Sequence, residues 1–179
     1  MARNKKVITA SKLESEESIL IDFSFPTSLV SVKTDQFNNY LKDDDEAFKK
    51  VNFCLNDLTS FCAQYYPRTL KKQSHCHLIQ QADKIRVIEK AVKAAYLKIN
   101  RNCDEVDAKN FYDQNFKDAT LFQIGVQQDT RLIGYFENGH HFKVILIDYH
   151  HQLYPSTKHN NVDCSHFNVC VFERGHKHD

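Results

Sequence analysis

The chain has 179 residues, of which 41% are hydrophobic and 12% aromatic, so it can fill a compact core and wholesale disorder is excluded. Its 24 lysine and arginine residues nearly cancel 23 aspartate and glutamate residues, and a formal net charge of +1 argues against a binder that depends on a general basic excess. No stretch reaches membrane-spanning length and no apolar signal region occurs, which favours a cytoplasmic protein with reduced cysteines.

The first two thirds of the chain predict one strand followed by helices. Residues 1–17 are polar and predicted to be flexible, and the apolar run 19–25 predicts a strand. A short helix is predicted over residues 34–44. Apolar residues at helical spacing predict two long helices, over residues 46–66 and 82–99.

The polar connection between the long helices contains His75-Cys76-His77, which we interpret as a loop, with a ligand or catalytic imidazole as the alternative. A further short helix is predicted over residues 108–116.

The last third changes to strand periodicity. Segments 121–126, 131–136 and 141–148 predict an antiparallel meander, in which Asn138-Gly139 is typical of a type I′ turn. Residues 167–172 predict a last strand. The fold class is therefore α+β: central helices packed on a mainly antiparallel sheet whose core is the meander. We expect one domain over residues 18–179, with a helical part (18–119) and a meander with a histidine-rich tail (120–179).

Chemistry is expected near the C-terminus, because eight of the ten histidines lie in the last forty residues. Strand alternation places Asp148 and His150 on one face, with backbones about 7 Å apart. A carboxylate there can orient an imidazole and raise its pKa, as a general acid or base requires. These groups would act on a phosphodiester if His151 and Tyr154 transferred protons while a neighbouring cation offset the developing negative charge. The alternative is that these residues only cap a strand and a turn.

Residues 131–154 resemble the closing strands of RelE-like toxins. The resemblance lies in the arginine-bearing strand Arg131–Glu137, the apolar strand Phe142–Ile147 and the tail Asp148-Tyr149-His150-His151-Gln152-Leu153-Tyr154. It implies a ribonuclease that cleaves messenger RNA, often on the ribosome, and is neutralised by an antitoxin. It assigns phosphate stabilisation to Arg131 and proton transfer to His150 or His151 with Tyr154. The wider chain resembles uncharacterised proteins of low-GC bacteria and their mobile elements.

We therefore expect a metal-independent endoribonuclease of the toxin or phage-defence type, without a cofactor. Its partners would be RNA and a protein such as an antitoxin or host factor. The expected catalytic residues are Arg131, Asp148, His150, His151 and Tyr154, and the expected substrate-binding residues are Lys143, Lys158 and His159.

Two other classes of protein stay open. One is a non-catalytic protein-binding inhibitor or regulator from a mobile element. The other is a binding module stabilised by zinc on Cys164, His166 and Cys170. The sequence also leaves open whether His150 or His151 faces the site, because a one-residue register slip exchanges them.

Overall fold

A five-stranded mixed sheet organises the computed structural model, which describes residues 17–126, 129–155 and 163–175. The strands are β1 (Leu20–Asp22), β2 (His77–Leu78), β3 (Phe122–Gly125), β4 (Arg131–Glu137) and β5 (His141–Asp148). Their spatial order is β1-β5-β4-β3-β2, with β1 parallel to β5 and every other neighbouring pair antiparallel. Three of the four strand pairs are antiparallel and helices pack on the sheet, so the α+β class is confirmed.

The first face carries the helices that precede β2. They are α1 (Asp44–Asn52), a π-helical segment (Phe53–Leu58), α2 (Thr59–Cys62) and α3 (Pro67–Leu70). The run begins where the Asp43 carboxylate accepts a hydrogen bond from the Glu46 amide, and proline opens α3, where its missing N–H costs nothing. The predicted helix over residues 46–66 is thus confirmed in its centre, but it ends at Cys62.

The second face carries α4 (Ala82–Ile99) and α5 (Glu105–Phe116), and a short α6 (Val171–Gly175) lies near the C-terminus. The apolar periodicity of α4 predicts its bounds correctly. A capping box formed by Asp104 and Asp107 starts α5 three residues before the predicted helix.

The meander is confirmed, and its turn has the expected geometry because Asn138 (φ 54°) and Gly139 (φ 88°) both lie in the left-handed region. A β-bulge in β5 was not predicted. Gly134 pairs with Val144 and Ile133 with Leu146, so Ile145 is an extra residue. Val144 therefore packs in the first-face core, although simple alternation placed it with Leu146.

Two other predicted elements are wrong. Where a helix was predicted over residues 34–44, residues 34–43 form a turn and extended chain, bridged between Lys33 and Asn38, because the Asn39 side chain bonds to backbone groups in place of a helical ladder. The predicted strand over residues 167–172 shrinks to one bridge between Leu41 and Val169, followed by α6. The predicted flexible segment lies outside the described residues except for Glu17.

The segment that follows β1 covers the free edge of β5. Thr27 donates to the Ile145 carbonyl at 2.7 Å, and Asn39 donates to the Ile147 carbonyl at 2.9 Å. Both side chains are buried, and they satisfy carbonyl groups that the three-residue β1 is too short to reach. In the described part of the chain, no helix is long and apolar enough to cross a bilayer.

Replacing Thr27 with valine should lower the free energy of unfolding by about 1–3 kcal/mol, because it leaves the buried Ile145 carbonyl without its donor. Urea unfolding measures this change. Thr34→Val is the matched control: its hydroxyl makes a half-buried contact of 3.4 Å, so it should cost less than about 1 kcal/mol. Equal losses for the two variants would contradict the role of Thr27 at the bulge.

Candidate active site

Four residues form a row across one end of the sheet: His75, Gly125, Arg131 and Asp148. Arg131 is the register partner of both Gly125 on β3 and Asp148 on β5. His75 lies two residues before His77, the partner of Gln123, so it continues the row beyond Gly125. Side chains in this row point to the face that carries α4 and α5, since Ile133 and Leu146, two residues along their strands, pack in that core.

Gly125 gives the Arg131 side chain its path. A Cβ atom on Gly125 would lie 2.4 Å from Cδ and 2.8 Å from Nε of Arg131, so only glycine leaves room for the side chain to cross β3. Arg131 is 2% exposed. Its Nη1 donates to the Thr130 carbonyl at 2.9 Å, and its Nη2 reaches Nδ1 of His75 at 3.5 Å.

The contact with Arg131 determines the protonation of His75. A guanidinium only donates hydrogen bonds, so Nδ1 of His75 is the acceptor and Nε2 carries the proton. Burial lowers the pKa of His75, and the positive charge of Arg131 lowers it further, with a smaller electrostatic contribution from the neighbouring His77. His75 has φ 67°, a left-handed conformation that is uncommon for a residue with a side chain.

His151 joins this site because Asp148 folds the turn after β5. The wholly buried carboxylate accepts hydrogen bonds from the amides of His150 at 3.2 Å and Leu153 at 2.9 Å. Within this turn His151 adopts φ 55°. Burial, followed by the charge of Arg131 and electrostatic coupling to His75, lowers the pKa of His151 to about 4. The imidazole is therefore neutral near pH 7 and can accept a proton.

His77 and Tyr154 form one side of the site. His77 donates from Nδ1 to the Leu78 carbonyl at 3.1 Å and accepts at Nε2 from the Gln123 amide at 3.3 Å, so both nitrogens are engaged. The Tyr154 ring packs edge-on against it with centroids 5.0 Å apart, and its hydroxyl donates to Gln81 at 2.7 Å. We call the set Arg131, His75, His77, His151 and Tyr154 the Arg131 cluster.

The structure places the two adjacent histidines in different surroundings. His150 is 5% exposed, donates from Nε2 to the Tyr40 carbonyl at 2.8 Å and packs against the Phe167 ring. Its contacts tie the turn to the segment that covers β5, so the ring does not join the Arg131 cluster, and its catalytic role stays a prediction. The expectation that Asp148 orients the His150 ring is wrong, since Asp148 accepts from the His150 amide and the ring bonds to the Tyr40 carbonyl.

The predicted substrate-binding residues do not join the cluster. Lys143 is the register partner of Tyr135, four residues and about 13 Å along β4 from Arg131, and it forms ion pairs with Asp22 and Glu137. Lys143 therefore lies apart from Arg131, and its substrate-binding role stays a prediction. Lys158 and His159 lie outside the described residues.

The described residues do not form the alternative zinc site. Cys164 and Cys170 are buried, the Ser31 amide donates to the Cys170 sulfur, and His166 lies exposed against Phe167. Nowhere in residues 17–126, 129–155 and 163–175 do three histidine, cysteine, aspartate or glutamate side chains gather to hold a metal ion.

The sequence analysis kept a catalytic or ligating imidazole at His75 or His77 only as an alternative, and it did not place them beside Arg131. Their signal was the alternation in His75-Cys76-His77, which places both imidazoles on one face and Cys76 in the opposite core. The Cys76 sulfur donates to the Gly125 carbonyl at 3.3 Å, which fixes this short segment against β3.

The fold and the site define an α+β protein with a buried arginine and several histidines at one end of a mixed sheet. The model of the family described as Uncharacterised protein UU032 matches residues 24–177, and the chain belongs to this family. The match includes every member of the Arg131 cluster. Neither the search of the curated proteins nor the search of the solved structures gave a match.

Gly125→Ala should displace the Arg131 side chain and break its contact with His75 without unfolding the protein. The new methyl group meets the flexible end of an arginine side chain, which can move. The Arg131 Nε–H signal in a ¹H–¹⁵N NMR spectrum should shift, while the amide spectrum of the remaining sheet stays in place. Gly134→Ala is the contrasting variant, because its Cβ would lie 2.0 Å from the Lys143 carbonyl oxygen and should destabilise the sheet. An unchanged Arg131 signal in Gly125→Ala would contradict this packing.

His151 should make the protein less stable in acid. Its pKa is about 4 when folded against 6.5 for a free imidazole, so the unfolded chain binds a proton first as the pH falls. The contribution of His151 to stability is constant above pH 6.5 and is lost progressively toward pH 4. Urea unfolding across this range should give a flatter profile for His151→Asn, since asparagine tolerates the positive φ.

His151→Gln is the matched control for the backbone conformation. It also removes the titrating ring and should flatten the same profile, but glutamine suits a positive φ less well, so the whole curve should lie lower. A wild-type pH dependence in both variants would show that His151 is not the group responsible.

Proposed function

We propose that the chain is a metal-independent endoribonuclease of the toxin or phage-defence type, and that the Arg131 cluster receives a phosphodiester of RNA. One observation carries the proposal: a buried guanidinium flanked by two neutral imidazoles, His75 and His151. The resemblance of residues 131–154 to RelE-like toxins supports the same assignment for Arg131 and His151.

The charge of Arg131 suits one phosphate group. A guanidinium binds two phosphate oxygens at once through its fork of N–H donors, and the interaction is stronger where water is excluded. The carboxylates nearest in the fold are already engaged, since Lys50 pairs with Asp129 and backbone amides surround Asp148. An incoming phosphate would join the Asp148 carboxylate, the register partner of Arg131, in balancing the guanidinium.

The two imidazoles divide the proton transfers. His151 takes the proton of the ribose 2′-hydroxyl, the 2′-oxygen attacks phosphorus, and the bond from phosphorus to the 5′-oxygen breaks. His75, once it has taken a proton from solution, protonates the departing 5′-oxygen as an imidazolium, and Arg131 offsets the negative charge that develops on the phosphoryl oxygens. The products are a 2′,3′-cyclic phosphate and a 5′-hydroxyl.

Tyr154 and Gln123 provide contacts for the nucleotide. Stacking of a base on an aromatic ring contributes about 1–3 kcal/mol and does not select a sequence. Within the described residues, the buried Oε1 of Gln123 accepts no hydrogen bond, so it is available to a donor of the ligand. Because the Tyr154 hydroxyl donates to Gln81, we assign the ring of Tyr154 to binding and leave proton transfer to the histidines.

The second candidate function is protein binding by an inhibitor or regulator. Phe48 and Leu55 are 74% and 50% exposed, and they lie about two helical turns apart on the helix that begins at Asp44. Large exposed apolar side chains close together are typical of interaction surfaces. If the chain is a toxin, the surface that carries Phe48 and Leu55 would bind an antitoxin or a host factor.

The proposal predicts RNA cleavage that depends on Arg131 and His151. His151→Asn should reduce the cleavage rate about 100-fold or more, because it removes the general base while asparagine keeps the backbone conformation. Arg131→Lys should also be strongly impaired, because lysine cannot hold two oxygens in a fixed fork. Gel and mass analysis of the products should show 2′,3′-cyclic phosphate ends, and EDTA should not change the rate.

His166→Asn is the control, since His166 is exposed and contacts Phe167. It should cleave like the wild type, and it should arrest bacterial growth on induced expression as the wild type does, whereas His151→Asn should not. A folded wild type that cleaves no RNA would contradict the proposal. If that protein also co-purified with a protein through Phe48 and Leu55, the binding function would be favoured.

A further inference from the structure

We infer that Arg131 and His75 form an exchangeable pair, so that a phosphate group that takes over the guanidinium frees His75 to bind a proton. Anion binding at the Arg131 cluster is then accompanied by proton uptake. The inference rests on the proposed function for the identity of its substrate, a phosphodiester. It describes how the protonation of His75 changes when an anion binds to the Arg131 cluster.

The contact between the two side chains is suited to exchange. At 3.5 Å, the hydrogen bond from Arg131 Nη2 to His75 Nδ1 is long and therefore weak. A bidentate, charge-assisted pair with a phosphate is shorter and roughly twice as strong as a neutral hydrogen bond. A bound phosphate therefore replaces the imidazole as the partner of the guanidinium, and Nδ1 of His75 becomes available for a proton.

The groups around His75 favour protonation only when an anion is present. Arg131 faces it from β4, His77 from β2 and His151 from the turn after β5. In the site without ligand these groups oppose a second positive charge. A phosphate monoanion among them cancels the charge of Arg131 and makes the imidazolium favourable. Asp129, on the loop before β4, acts on His151 in the same direction.

The backbone keeps both partners in place during the exchange. The neighbour of His75 in sequence, Cys76, is buried and bonded to the Gly125 carbonyl, and Arg131 lies across the same glycine. Only side-chain torsions of Arg131 and His75 need to change. The exchange is therefore a local event that leaves the sheet intact.

Proton uptake completes the reaction. A neutral His75 cannot release Nε2–H to an alkoxide without becoming an anion, whereas an imidazolium can. The proton taken from solution on binding goes to the departing 5′-oxygen, and the 2′-hydroxyl proton ends on His151. Release of the second proton to solution returns both imidazoles to the neutral state.

Isothermal titration calorimetry of the full chain tests this inference. The probes are inorganic sulfate and a thymidine dinucleotide, neither of which titrates near neutral pH, and the dinucleotide has no 2′-hydroxyl and is not cleaved. Binding heats are measured at one pH in buffers that differ in ionisation enthalpy. The slope of the binding enthalpy against the ionisation enthalpy of the buffer gives the number of protons taken up, which should be on the order of one. The affinity for the anion should rise by up to about tenfold for each unit by which the pH falls.

His75→Asn is the diagnostic variant. Asparagine tolerates φ 67° and still offers Arg131 an acceptor, so binding should remain while proton uptake falls by about half or more. His166→Asn is the control and should give the wild-type slope. The inference is overturned if neither anion binds, if the wild-type heats do not depend on the buffer, or if His75→Asn leaves the slope unchanged. The proposed function and this inference can fail independently. Proton-coupled binding without RNA cleavage would refute the proposed function and leave the inference standing.

Discussion

The burial of the Arg131 guanidinium is the constraint on which this end of the molecule depends. Removing such a charge from water costs several kcal/mol unless hydrogen bonds and opposite charge compensate for it. The Thr130 carbonyl, the Asp148 carboxylate on the partner strand and His75 supply that compensation. Gly125 must lack a side chain for the arginine to reach them. Four segments far apart in sequence are thereby held together by one side chain.

Asp148 connects this electrostatic requirement to the shape of the site. Burial raises the pKa of its carboxyl group, while hydrogen bonds from the amides of Leu153, Gln152 and His150 oppose that rise. Its positive partner is Arg131, so the same carboxylate balances the guanidinium and folds the turn that carries His151. The left-handed backbone at His75 and His151 costs of order 1 kcal/mol or more at each residue. Such conformations persist where surrounding contacts hold them, and they concentrate at functional sites.

The sequence predicts this fold wherever local periodicity determines structure. The helix Ala82–Ile99, the meander and the Asn138-Gly139 turn are of this kind. It does not predict β2, which is two residues long and exists only because β3 pairs with it. The bulge at Ile145 likewise depends on the register with Gly134, whose Cβ position is occupied by the Lys143 carbonyl. Alternation along one strand contains no information about such cross-strand contacts.

In the candidate site, too, the residues set by local sequence pattern were predicted and those set by long-range strand pairing were not placed beside them. Arg131, Asp148, His151 and Tyr154 were predicted because they follow one another through a single hairpin and its exit. His75 and His77 lie more than fifty residues earlier and reach Arg131 only through the pairing of β2 with β3. The register slip that exchanges His150 and His151 was resolved by the Asp148 turn, whose left-handed residue is His151. Long-range pairing, and not residue chemistry, was the missing information.

A net charge of +1 is compatible with an RNA substrate if the charge is gained at the site. Among the described residues several lysines are neutralised by neighbours, as in the pairs Lys49–Asp45, Lys90–Asp35 and Lys109–Asp113, so these lysines add little general attraction for polyanions. On the proposed function, Arg131 alone attracts the first phosphate. The imidazoles around it then add positive charge only while that phosphate is bound. A site of this kind discriminates between a phosphodiester placed in the cluster and the many phosphates that merely approach the surface.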